Sequence, residues 1–181
     1  MWLTFALGVA DTIAGLADDA PGPFHRASRW VERSVSGAAP EVSVGEGRLL
    51  MMCDSAARVD PGATAADMVW SGVQLGEAPL PAPAEARGLL LNIMDIDRAH
   101  EDEFNDWYDT EHLPRLASVE GVIAARRFRS EDHRPRYLAT YHLTKLDVVR
   151  GAPWKEAALT PWTARIRRHR YGLVRLGFTA L

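Results

Sequence analysis

The chain has 181 residues, of which 47% are hydrophobic and 25% charged, enough to bury a real core as one large globular domain or two small ones. A formal net charge of −3 gives no electrostatic ground for a nucleic acid or an anionic membrane as partner. The one cysteine, Cys53, excludes an intrachain disulfide and a cysteine metal cluster, and its apolar setting Leu49-Leu50-Met51-Met52-Cys53 reads as a buried, inert thiol.

The first ten residues are apolar but carry no basic start and run straight into Asp11, so residues 2–9 read as a strand rather than a signal peptide. No stretch approaches the roughly 20 apolar residues of a membrane span, and a cytoplasmic protein is expected. Phe24, Ala27, Trp30, Val31 and Ser34 recur three and four apart, which predicts a helix. Residues 41–44 and 48–54 flank Gly45-Glu46-Gly47 as a hairpin. A second helix is predicted over 64–70 and the start of a fourth strand over 73–75. Pro79, Pro81 and Pro83 then alternate within residues 76–87, which favours an extended linker and forbids a helix or central strand.

Beyond the linker, Gly88–Ile96 is a nearly continuous apolar run and reads as a buried strand. Asp97 is the expected N-cap of a helix whose first turn holds Glu101, Asp102 and Glu103, where the dipole favours acids. Phe104, Trp107, Tyr108 and Glu111 continue at helical spacing. Pro114 cannot sit in a continuous helix, so an interruption is expected between Glu111 and Arg115, with Pro114 opening a short second piece that Gly121 ends. Residues 122–130 and 136–144 should pair across Glu131-Asp132-His133-Arg134-Pro135. A helix over 154–168 and a strand over 171–178 complete the chain. Its basic run, Arg165-Ile166-Arg167-Arg168-His169-Arg170, reads as a solvated helix end beside the negative C-terminal dipole.

The order β-α-β-β-α-β is that of the ferredoxin-like split βαβ unit, and the first half repeats it more faintly, in pattern only. The expected fold class is α+β: tandem ferredoxin-like units, a degenerate one over 1–75 and a second over 88–181, with 76–87 as linker. Their sheets would face each other as a pseudo-dimeric α+β barrel. The alternative is that residues 1–80 form an unrelated cap.

Residues 104–128 carry the most chemistry. Trp107 and Tyr108 point about 100° apart on a helix, so one should pack on the sheet while the other edges a pocket. Asp106, Asp109 and Glu111 are placed to hold His112 or to meet arginines on the next strand. His112, at a helix break facing a sheet, can carry a proton near neutral pH or cap backbone groups freed by Pro114. Arg126 and Arg127 alternate on their strand, one toward the helices and one into the space between the sheets, where it needs a counter-charge. On the neighbouring strand Tyr137, Ala139 and Tyr141 share one face, and Leu138, Thr140 and His142 the other. His100-Glu101 lacks the second histidine of HExxH, Gly-x-Gly occurs only at 45–47, and no serine lies in Gly-x-Ser-x-Gly. Metal, nicotinamide, ATP and serine-hydrolase readings fall, and no cofactor is expected.

Phe104-Asn105-Asp106-Trp107-Tyr108-Asp109-Thr110-Glu111-His112-Leu113-Pro114, followed by Val119-Glu120-Gly121-Val122 and Ala125-Arg126-Arg127-Phe128, resembles the helix-turn-strand of the EthD-like branch of the dimeric α+β barrel superfamily. The resemblance covers roughly residues 88–170. It implies a small, partly apolar, aromatic or polyketide-like ligand held between sheet and helices. Members include cofactor-free monooxygenases, lactone isomerases, cyclases and dehydratases. Haem occurs in distant members, but no histidine here matches such a ligand. The catalytic expectation is His112 as proton carrier, with Arg126 or Arg127 stabilising an oxyanion or enolate, and Trp107, Tyr108, Glu111, Tyr137 and Tyr141 around the ligand. The first half lacks the signature, so one site is expected rather than a symmetric pair. A monomeric pseudo-dimer or a homodimer would suit this reading. The competing class is a non-catalytic ligand-binding or assembly module accompanying an enzyme system.

Overall fold

A computed structural model of the chain describes residues 1–9, 26–33, 48–59, 66–76 and 80–181. Eight antiparallel strands close into a barrel in the order β1-β3-β2-β8-β5-β7-β6-β4. These are β1 (Trp2–Gly8), β2 (Arg26–Arg33), β3 (Leu49–Ser55), β4 (Met68–Leu75), β5 (Gly88–Ile96), β6 (Val122–Arg129), β7 (Tyr137–Leu143) and β8 (Arg170–Ala180). Each half contributes four strands in one order: its fourth, first, third and second. The halves are therefore tandem ferredoxin-like sheets. Two seams join them, β2 to β8 with Trp30 opposite Ala180, and β4 to β6 with Gln74 opposite Phe128.

Strand alternation divides the side chains into two cores. Leu89, Leu91 and Ile93 of β5 point inward, with Leu3, Phe5, Trp30, Trp70, Phe128 and Phe178 filling the barrel. Leu90, Met94 and Ile96 point outward and are covered by Phe104, Trp107, Leu116, Trp154 and Ile166 from the helical layer. Cys53 is buried, and burial raises its thiol pKa, in keeping with an inert group. No helix among the described residues is long and apolar enough to cross a membrane.

The two helices expected in the first half are corrected. Residues 26–33 are strand β2 and 68–70 belong to strand β4. Short windows at three- and four-residue spacing do not separate helix from strand, and pairing along both edges of β2 decides for strand. Phe24, Ser34 and the proposed turn at Gly45-Glu46-Gly47 lie outside the described residues, while 49–55 is β3.

In the second half, Asp97 is not a side-chain cap: its carbonyl accepts the His100 N–H across a 3₁₀ turn, Arg98–His100, and helix α1 (Glu101–Trp107) follows. Tyr108–His112 then forms a π-helical turn, with the Leu113 N–H bonding the Tyr108 carbonyl five residues back, before α2 (Leu113–Ala117). Pro114 would leave the Thr110 carbonyl without its α-helical donor and clash with it, and the wider turn makes room. The α-helical bonding is thus interrupted, slightly earlier than expected and without a bend in backbone dihedrals. Gly121, at φ +91°, turns the chain into β6. The helix expected over 154–168 is two helices, α3 (Ala152–Ala158) and α4 (Pro161–Ile166). Pro161 drives Thr160 into extended backbone, and Thr160 then caps α4 by accepting the Thr163 N–H.

One buried ion pair ties the halves through the barrel interior. Arg126 of β6 donates to Asp54 of β3 at 2.8 Å, both side chains essentially inaccessible. Arg126 also donates to the Leu80 carbonyl, and Asp54 accepts the Ala82 N–H at 2.8 Å, so the pair holds residues 80–82 as well. Removing one partner leaves an uncompensated buried charge, so Asp54→Ala should cost about 3–5 kcal/mol in urea unfolding. Asp54→Leu with Arg126→Met should recover most of that loss. A single-variant cost below about 1 kcal/mol would show that the pair is not needed to close the barrel.

Candidate functional site

A cavity of about 340 Å³ lies on the outer face of the second sheet, beneath the helices. Its floor is Asn92 and Met94 of β5 with Leu173 and Arg175 of β8. Trp107, Tyr108 and His112 from the end of α1 and the π turn form one wall. Trp154, Leu159 and Thr163 form the other, with Arg167 at the end of α4 and Arg170 at the start of β8.

His112 is 7% exposed, and its ring stacks on Trp107 at 4.1 Å between centroids and meets the Tyr108 ring edge-on at 5.3 Å. The Trp107 indole is fixed in turn by donating to Thr163 Oγ1 at 3.3 Å. The His112 Nδ1 is buried and has no hydrogen-bond partner among the described residues, and the same holds for Asn92 Oδ1. Burial, then Arg167, Arg170, Arg127 and Arg115, pull the His112 pKa down to about 3, so the imidazole is neutral at ordinary pH. Burial raises the pKa values of the Tyr108 and Tyr141 hydroxyls, which remain protonated. Among the described residues, three arginines and no carboxylate line the cavity.

The residues singled out from the sequence separate into three places. Trp107, Tyr108 and His112 line the cavity, and both aromatics do so while also packing against each other at 4.6 Å. That corrects the division of the two into one core and one rim residue. Arg127, Tyr137, Tyr141 and Glu111 lie behind the cavity wall. Arg127 bonds Asp109 at 2.7 Å and Asn105 at 2.8 Å, with its guanidinium 4.1 Å from the centre of the Tyr108 ring. Tyr137 donates to Glu101, a bond that, ahead of those from Arg136, lowers the Glu101 pKa. Tyr141 meets Trp154 edge-on, and Glu111 accepts from Thr160 at 2.5 Å rather than holding His112. Arg126 is in the barrel interior beside Thr140, its pairing partner on β7, so neither expected arginine reaches the cavity.

The arginines that do reach it are Arg167, Arg170 and Arg175. Arg165, Arg167 and Arg168 are exposed at the end of α4, as the basic run suggests, and Arg167 and Arg170 also line the cavity. The available signal was polar residues interrupting apolar strands, Asn92 within Leu-Leu-Leu-Asn-Ile-Met and Arg175 within Leu-Val-Arg-Leu. The fold also gathers Asp97, His100 and His169, whose ligand atoms lie within 4.8 Å of one another. The two imidazoles stack at 3.5 Å and 13°, so one ion cannot lie in both ring planes, where the nitrogen lone pairs point.

The depressed His112 pKa makes a signed prediction. From pH 6.5 down toward about 3 the unfolded chain binds a proton here that the folded chain refuses, so stability rises with pH across this window. The His112 contribution to that slope approaches about 1.4 kcal/mol per pH unit in the middle of the window. Urea unfolding between pH 4 and 7 should show a flatter dependence for His112→Gln. Identical slopes would mean that the folded chain accepts the proton.

No family model and no curated relative matches the sequence. Solved structures share the fold at very low identity. A major regulator of staphylococcal pathogenesis aligns over 100% of this chain and 99% of its own, at TM-score 0.64 and 6% identity. A candidate monooxygenase from Fusobacterium nucleatum aligns over 99% and 92%, at 0.58 and 7%. An anthrone oxidase-like protein aligns over 99% and 91%, at 0.58 and 12%. A regulator, a candidate monooxygenase and an anthrone oxidase-like protein on one scaffold show how little the fold alone says about chemistry. The chain has the fold of the dimeric α+β barrel proteins, closed here within one polypeptide.

Proposed function

We propose that the chain is an EthD-like α+β barrel protein that binds a small hydrophobic or aromatic molecule in the His112 cavity and performs cofactor-independent acid-base chemistry on it. The observation that carries this reading is His112 itself: a neutral imidazole, nine-tenths buried, that lines an aromatic-walled cavity and whose buried Nδ1 has no partner among the described residues. A buried polar atom without a partner costs stability and is found where a ligand completes its bonding. In this reading His112 removes a proton from the substrate, and the cavity arginines stabilise the oxyanion or enolate left behind. Arg127 is a positioning residue, holding Tyr108 and Asp109 in the π turn, and Arg126 is structural.

The anthrone oxidase-like neighbour suggests a first substrate. Anthrone has an acidic carbon–hydrogen bond beside an aromatic ketone. Loss of that proton to His112 gives an enolate, which dioxygen converts to anthraquinone with release of water. Absorbance should show anthraquinone forming faster than in buffer alone. His112→Gln should remove on the order of a hundredfold or more of the acceleration, the usual contribution of a positioned base, with little change in melting temperature. Wild-type rates no faster than buffer, with anthrone still bound saturably, would favour the non-catalytic binding module. The low basicity of His112 is the observation on that side.

A further inference from the structure

We propose that the ligand of this cavity is an aromatic anion, whose ring lies against Trp107 and Trp154 and whose negative oxygen atoms are held by Arg167, Arg170 and Arg175. The inference rests on the cavity being a ligand site, and it names the class of molecule that fits.

The first ground is the sign of the lining. Arg167, Arg170 and Arg175 line one cavity of about 340 Å³, and among the described residues no aspartate or glutamate does. Arg175 comes from the middle of β8, Arg170 is the first residue of that strand, and Arg167 comes from the end of α4. A guanidinium presents a planar fork of donors that matches a carboxylate, sulfonate or phenolate oxygen, and low-dielectric walls concentrate the positive potential.

The second ground is two buried polar side chains of the lining, His112 on the wall and Asn92 on the floor beside Arg175. The His112 Nδ1 and Asn92 Oδ1 both lack partners among the described residues. The imidazole is discouraged from protonation partly by Arg167 and Arg170. An anion placed on those arginines offsets their repulsion of an imidazolium, so occupancy of the cavity and proton uptake by His112 favour each other. The aromatic walls, Trp107, Tyr108 and Trp154, supply the rest of the recognition through apolar contact with a flat ring.

Two fluorescent probes of the same aromatic body separate charge from shape: 1-anilinonaphthalene-8-sulfonate, an anion, and N-phenyl-1-naphthylamine, its neutral counterpart. The sulfonate should bind saturably and at least about tenfold more tightly, the difference expected of a charge-assisted contact. Its affinity should fall with added salt, while that of the amine should not. Arg167→Gln and Arg170→Gln, each checked for an unchanged melting temperature, should weaken the sulfonate about tenfold and leave the amine unaffected. Arg150→Gln, an exposed change at a residue outside the cavity lining, should affect neither. Equal affinities for the two probes, unmoved by Arg167→Gln, would overturn the anionic ligand while leaving an aromatic-binding cavity. Equal weakening of the sulfonate by Arg150→Gln would likewise overturn the anionic site alone, and failure to hold either probe would overturn the anionic site and the cavity reading together.

Discussion

The pairing of Asp54 with Arg126 is the constraint from which the rest of the molecule can be followed. A guanidinium inside an eight-stranded barrel is tolerable only against an opposite charge, and that charge comes from the other half of the chain. The arginine is held in place by Asp54, by the Leu80 carbonyl and by the adjacent Phe128 ring. Alternation along β6 does the remainder. With Arg126 inward, Arg127 must face outward, where it meets Tyr108, Asp109 and Asn105 and so fixes the turn that carries His112. A one-residue slip in β6 would bury the wrong arginine and unmoor the site at the same time.

The same economy of causes appears at Pro114. A proline in the body of a helix forfeits one backbone bond and crowds the carbonyl four residues earlier. The π turn at Tyr108–His112 relieves this by widening the helix at the place where Trp107, Tyr108 and His112 must all turn toward one cavity. On a regular helix two consecutive aromatics diverge. Here both line the cavity, and the Arg127 guanidinium lies 4.1 Å from the centre of the Tyr108 ring. The local backbone irregularity and the collection of functional groups thus have one origin in the sequence, the Glu-His-Leu-Pro stretch.

That stretch, and the long strands around it, are why the second half could be read from its residues. Gly88–Ile96 has the length and apolar continuity of a buried strand, and the 122–144 hairpin has an obvious turn. Residues 24–34 offered a spacing that suits a helix, yet Trp30 and Val31 pair with Leu50 and Leu49 on one side and with Ala180 and Thr179 on the other. Tertiary pairing overrode a weak local pattern. The site divided along similar lines. His112, Trp107 and Tyr108 sit in one continuous segment and could be identified together. The cavity arginines could not, because Arg167 and Arg170 look like any basic helix end until the fold sets them beside Arg175 and Asn92. Nothing local distinguishes Arg126 from Arg127 either; only Asp54, 72 residues away, decides which of them is structural.

The electrostatics of the cavity bear on whether such a site can catalyse at all. An imidazole with a pKa near 3 is a weak base, and a general base works best when its pKa is near the working pH. The arginines responsible for part of that depression also favour any negative charge that forms beside them. Two opposite unit charges about 5 Å apart, at an effective dielectric near 20, attract by about 3 kcal/mol. That is worth roughly two decades in an acid dissociation constant. A substrate that brings or develops a negative oxygen next to Arg167 and Arg170 therefore returns much of the basicity that the empty cavity withholds. The site would stay inert until the right charge arrives, and a neutral ligand of the same shape would occupy it without drawing a proton onto His112.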